Sequence, residues 1–150
     1  MNNENKIIIY QVFTRLFGNN NNHCVYNGDI VTNGCGKMAD FTLKALSEIK
    51  KLGTTHIWYT GIIEHATQTD YRRYNISPDH PAIVKGKAGS PYAIKDYYDV
   101  DPDLANDIPE RMREFENLVR RTHRAGLKVI IDFVPNHVAR QYHSDAQPDG

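Results

Sequence analysis

The sequence predicts an α/β fold built on a parallel sheet, and three observations predict it. First, apolar runs at Ile7 to Phe13, Thr55 to Ile63 and Leu127 to Val134 recur with helical patterns between them, the spacing of βαβ units. Second, the last run holds Val129, Ile130, Ile131, Phe133 and Val134, a nearly continuous β-branched and aromatic stretch suited to a strand buried on both faces. Third, Pro135 closes that strand, because proline gives no N–H to a ladder. Asn136 and His137 are thereby delivered at the C-terminal mouth of the sheet, where parallel α/β folds place their chemistry. Asp132 lies inside the strand, where a carboxylate needs partners.

Taken in order, Ile7 to Phe13 reads as an apolar, central first strand, and Thr14 to Gly18 carries it into a turn. Asn19 to Gly36 holds four consecutive asparagines, three glycines and Asp29, the composition of a long solvated loop rather than of a cation site, since asparagine supplies no charge. Asp40 is the expected N-cap of a helix whose stripe is Leu43, Leu46, Ile49 and Leu52, with Lys50 and Lys51 in its last turn and Gly53 beyond it. The second strand follows at Thr55 to Ile63. Glu64 to Asp107 has no helical period and is dense in tyrosine, so a functional loop is expected, since disordered segments are poor in aromatics. Pro109 occupies the first turn of a second helix with a stripe of Met112, Phe115, Leu118, Val119 and Ala125, ending at Gly126. After the third strand only a polar tail, Ala139 to Gly150, remains.

At 150 residues the chain is the size of one domain. Eighteen basic against 18 acidic residues leave no electrostatic footprint of a nucleic-acid or membrane binder, which points to a small neutral partner. The start is too short and too polar for a signal peptide; a cytoplasmic protein, or an exported one whose leader is absent from this sequence, fits equally. Cys24 and Cys35 share one loop without metal-ligand spacing and are expected as free thiols.

Two constellations carry candidate chemistry. Asp132, Asn136 and His137 form a polar rim, with Asn136 able to give an oxygen to a hard cation and His137 to donate to a substrate hydroxyl. Ser90-Pro91-Tyr92 with Asp96-Tyr97-Tyr98 places rings beside carboxylates, which suits a sugar's apolar face and its belt of hydroxyls. Tyr97 and Tyr98 are expected to pack the loop on the core, leaving Tyr92 as the contact residue. Of the histidines, His56 reads as structural and His65 as facing the mouth; zinc held by His65, His137 and His143 is the rival reading.

Asp132 through His137 resembles the first signature region of the α-amylase family of glycoside hydrolases, at the end of that family's third barrel strand. Ile9 to Phe13 resembles its first strand, Thr55 to Trp58 its second, and Ser90-Pro91-Tyr92 through Pro102 the segment before its second helix. The resemblance implies the amino-terminal portion, strand-helix-strand-helix-strand, of a TIM (β/α)8 barrel that cleaves α-glucosidic bonds in starch or maltooligosaccharides by a retaining mechanism. It implies that Tyr92 stacks on the sugar, His137 hydrogen-bonds its hydroxyls, Asp132 supports the site, and Asn136 ligates a structural calcium. Residues 138–150 would begin the long loop or subdomain after the third strand.

The chain also departs from the family. Asn19 to Asn22 stand where many members carry acidic calcium ligands, and Gly89 stands where members that trim chain ends often have an acid, which favours internal cleavage. The nucleophile, the acid/base and the third carboxylate of the family follow later strands, so no catalytic residue is expected within Met1 to Gly150. With about three of eight strands, the remainder of the same barrel is an expected partner, and the first and third strands would be open edges. An α-glucan transferase or isomerase of the family, or a non-catalytic carbohydrate-binding or interaction relative, would share these strands.

Overall fold

The computed structural model describes residues 6–148. Met1 to Asn5, on which the reading of the start rests in part, and the last two residues of the 138–150 tail lie outside the described residues. The elements are β1 (Ile9–Phe13), α1 (Ile30–Asn33), α2 (Leu43–Lys51), β2 (His56–Thr60), β3 (Ile63–His65), β4 (Ile94–Val100), α3 (Arg111–Arg124) and β5 (Lys128–Ile131). β1, β2 and β5 form one parallel sheet in that order, with Gln11 and Ile130 flanking Trp58. The expected alternation of strand and helix is present. β2 is the central strand and β1 an edge, which corrects the reading of β1 from its composition.

One face of this sheet packs on the helices. Val12, Ile57 and Tyr59 join Leu46 and Ile49 of α2 and Leu118 of α3 in a core completed by Met38 and Phe41. Each such side chain, fully buried, contributes about 1.5–3 kcal/mol. Phe41 stacks on Phe17 at 4.1 Å and meets the Tyr59 ring edge-on at 4.9 Å. The other face is open among the described residues: Ile9 is 49% and Phe133 75% exposed. Burial of the third strand on both faces is therefore not found, since its outer face is only partly covered by the described residues.

The helices differ from expectation at their ends. Thr42, not Asp40, caps α2, its hydroxyl accepting from Ala45 N at 3.2 Å. Asp40 instead closes the preceding 3-10 turn, Met38–Asp40, by accepting from Lys37 N at 2.6 Å. Leu46 and Ile49 are the buried part of the α2 stripe, and Leu43 and Leu52 at its two ends are exposed. Pro109 lies in a 3-10 turn, Ile108–Glu110, that runs into α3; Leu118 and Thr122 are the buried residues of α3, while Met112 is exposed.

The main difference lies between residues 60 and 107. The second strand ends at Thr60, because Gly61 turns the chain with φ +81°. Ile63–His65 then leaves the parallel sheet and pairs antiparallel with Ile94–Val100, so the expected loop contains two strands. Both strands bury polar residues: Glu64 and His65 on β3, and Lys95, Asp96 and Asp99 on β4. That inverts the apolar pattern by which a strand is recognised. No helix of the described residues is long and apolar enough to cross a membrane.

Candidate functional site

Asp132 lies just past the end of β5 and has the partners its position demands. Its Oδ1 accepts from Trp58 Nε1 at 2.7 Å and its Oδ2 from the Gly61 backbone N–H at 2.9 Å, so one carboxylate ties the exit of the third parallel strand to that of the second. Asp132, Trp58 and Tyr92 line one cavity of about 480 Å³, whose walls include Ile130 and Phe133. Tyr92 is 42% exposed there. Its loop is held by Ser90, whose Oγ accepts from Tyr92 N at 3.3 Å and whose carbonyl accepts from Ala93 N at 3.0 Å. Gly89, three residues before Tyr92, has φ +78°, and a Cβ there would run into the carbonyl oxygen of Ala66, so an acidic side chain has no room at this position.

Asn136 and His137 are exposed and pair with each other, Asn136 Oδ1 lying 2.7 Å from His137 Nδ1. Neither lines the cavity that Tyr92 and Asp132 share. The structure thus joins two of the four expected site residues, Tyr92 and Asp132, around one cavity that the other two do not border. A hard cation takes about six to eight oxygens. Among the described residues the one group of three or more clustered carboxylate, histidine or cysteine donors lies elsewhere, at Glu64, Asp96 and Asp99, so Asn136 by itself does not make a calcium site. Tyr97 holds the exit from β5, donating its hydroxyl to the Val134 carbonyl and setting its ring 6.1 Å from Phe133. Tyr98, expected to pack likewise, is 56% exposed: it lies where the register of β4 on β3 shifts between Asp96 and Val100, so the side on which Ile94, Asp96 and Val100 are buried does not hold it.

The acidic group was not legible as a site. Asp96 Oδ2 accepts from Ser144 Oγ at 2.9 Å and Asp145 N at 3.0 Å, and Asp99 is held by the Arg111 guanidinium. Asp145 in turn accepts from Ser77 N at 3.0 Å. These oxygens are already engaged, so the cluster fastens β4 to α3 and to the tail. Glu64 lacks such donors, and burial pushes its carboxyl up to about 8, with Lys95 opposing and Asp99 and Asp96 adding to the rise. The signal in the sequence was the Asp96-Asp99 pair, which reads there as loop.

The histidines do not gather. His65 is buried with Nε2 3.5 Å from Asp101 Oδ2, and His143 Nε2 lies 3.3 Å from Asp145 Oδ1, so the zinc reading from His65, His137 and His143 is not met. Burial also raises the Asp101 carboxyl, against the pull of His65. In the asparagine-rich loop the amides hold backbone: Asn21 Nδ2 donates to Thr32 O at 2.9 Å, and Asn33 both accepts from Val25 N and donates to Val25 O at 3.0 Å. They staple the loop, as the solvated-loop reading requires. Cys24 and Cys35 are free.

The alpha amylase catalytic domain family model matches residues 11–147. The crystal structure of Bacillus licheniformis trehalose-6-phosphate hydrolase superposes with a TM-score of 0.58 at 26% identity, covering 91% of this chain and 18% of that one. A maltogenic alpha-amylase, AmyB from Thermotoga neapolitana, gives 0.55 at 29% identity over 91% of this chain and 24% of its own. In sequence, the amino acid transporter heavy chain SLC3A1 of Mus musculus is 28% identical over 134 residues, 89% of this chain and 14% of that protein. The chain therefore spans less than a quarter of the length of each of these relatives. The match over nearly all of its residues decides the family: the chain belongs to the alpha amylase catalytic domain family, and its parallel sheet is an amino-terminal portion of that family's barrel.

Proposed function

We propose that this chain supplies the sugar-holding part of a retaining glycosidase that cleaves α-glucosidic bonds in α-glucans. The observation that carries the reading is that Tyr92 and Asp132 border one cavity, which runs over the open face of the parallel sheet from Ile9 to Asp132 just past its C-terminal end. Tyr92 offers a partly exposed ring for the apolar face of a glucose unit, and His137, whose Nδ1–H is given to Asn136 Oδ1, leaves Nε2 to accept from its hydroxyls. The attacking and protonating carboxylates come from chain outside these 150 residues, and so do most ligands of any calcium that Asn136 would join. Gly89, standing where members that trim chain ends often carry an acid, favours cleavage within chains rather than at their ends.

The test is reducing-sugar release from soluble starch by the protein at its natural length. Turnover that falls about twofold to tenfold in Tyr92→Ala supports the reading, since a stacked ring is worth about 0.5–1.5 kcal/mol beyond its burial. Turnover indifferent to that change overturns the role of Tyr92, and no turnover overturns the hydrolase. Products longer than the substrate would show transfer in place of hydrolysis. A second reading, an interaction subunit, is favoured by the likeness to a transporter heavy chain; co-purification with a membrane transporter, without starch turnover, would establish it.

A further inference from the structure

Trp58 stands in the middle of the central strand, and its indole N–H has one acceptor, Asp132 Oδ1 at 2.7 Å. The second oxygen of that carboxylate takes the Gly61 N–H at 2.9 Å. Gly61 is itself confined. At φ +81° it forms the turn that ends β2, and a Cβ added to it would lie 3.1 Å from Pro91 Cβ and 3.3 Å from the Phe13 ring. Pro91 is bonded to Tyr92, and its ring fixes its own φ, so a shift of the Gly61 turn passes to Tyr92 with little slack. Trp58, Asp132 and Tyr92 also border the same cavity.

We propose that Trp58 is a positioning residue for Tyr92: its N–H aims the Asp132 carboxylate, which fixes the Gly61 turn, against which Pro91 sets the tyrosine ring. For its effect on sugar this rests on the reading of Tyr92 as a stacking ring; the placement of the ring does not. Trp58 therefore acts through another residue and needs no contact with the sugar. Its substitution should be felt at Tyr92 and nowhere else on the ligand.

The experiment uses the protein at its natural length. Trp58→Phe keeps an aromatic ring and removes the N–H; Asp132→Asn keeps the shape but faces one of its two donors with an amide N–H₂, so one link must break. Affinity for thio-linked maltoheptaose, whose bonds a glycosidase does not cleave, measured by calorimetry, falls about tenfold in Trp58→Phe, the usual effect of losing a hydrogen bond to a charged group. In a Tyr92→Ala background the same change costs less than about twofold, because residues that act in series are not additive. Equal losses in both backgrounds would mean that Trp58 touches the sugar or merely supports the fold, and would overturn the proposal. A second measurement needs no sugar. In protein labelled with 3-fluorotyrosine, the Tyr92 resonance, assigned with Tyr92→Phe, moves or broadens in both Trp58→Phe and Asp132→Asn, the latter leaving every ring in place. An unmoved resonance in Asp132→Asn overturns the proposal. A moved resonance in protein that binds no thio-linked maltoheptaose sustains the positioning and removes the sugar-stacking reading alone.

Discussion

The Lys95 ammonium lies 3.7 Å from Glu64 Oε1, within reach as an ion pair but beyond a hydrogen bond, and Glu64 Oε2 has no hydrogen-bond partner among the described residues. Both side chains are almost fully buried. Lys95 is shared with Asp79 Oδ2 at 3.4 Å and with the Ser77 carbonyl, so its charge is divided among acceptors. Asp96, Asp99 and Asp101 add negative charge on the side of β4. Glu64 is therefore better accommodated as a carboxylic acid, and burial, the largest cause, raises its pKa from 4.5 to about 8.

That shift has a sign. Between pH 4.5 and about 8 the folded chain keeps a proton that the unfolded chain has released, so the unfolded state binds fewer protons and stability falls as pH rises through this window. Glu64→Gln imitates the protonated acid and should remove this contribution. Urea unfolding of the two proteins at either end of the window is the measurement. The stability gap between the ends narrows in the variant if Glu64 carries the proton, and an unchanged gap would assign the pH dependence elsewhere.

Tyr59 and Thr122 test the joint between the central strand and α3. Their oxygens lie 2.6 Å apart, and the threonine hydroxyl also donates to Leu118 O at 2.8 Å. Burial pushes the Tyr59 phenol up to about 12, so it is neutral across the working range. Tyr59→Phe leaves Thr122 with its helical partner and should cost about 0.5–1.5 kcal/mol. Thr122→Val leaves a buried phenol with no partner and should cost about 1–3 kcal/mol. Thermal unfolding that ranks them the other way would show that the hydroxyl pair does not hold this joint.

What could be read in advance follows from how far apart partners lie. The helix at Arg111–Arg124 and the strand before Asp132 were legible because their signals, a 3.6-residue stripe and an apolar run closed by proline, are local. The cap of α2 was misread by two residues, since Asp40 and Thr42 are both good caps and only the fold shows that Asp40 is spent on Lys37. β3 and β4 were hidden because their buried polar residues are matched by Ser77, Arg111 and Ser144, none adjacent in sequence. Trp58 reads in the sequence only as part of the second strand. Its N–H partner lies 74 residues later, and no periodicity reports such a pair. For the same reason Asp132 could be named but not its work, and the pairing of Asn136 with His137 was invisible beside the roles assigned to each.

The open face of the sheet carries the last prediction. β1 and β5 are both edges, with Ile9 at 49% and Phe13 at 37% exposure on the open side of one, and Phe133 at 75% just beyond the other. Unpaired strand edges beside exposed apolar side chains template association with other chains. A polypeptide of residues 1–150 should therefore assemble as its concentration rises, by a route that consumes this face. Phe133→Ser removes the most exposed of these rings without touching the core, since Phe133 packs on Tyr97 alone among the rings. It should lower light scattering at a given concentration while leaving the far-ultraviolet circular dichroism unchanged. Ile49→Ser, on the buried side of α2, should do the reverse, raising scattering by unfolding the chain. If Phe133→Ser scatters as strongly as the parent, association runs through another surface, and the open face is covered by some part of this chain after all.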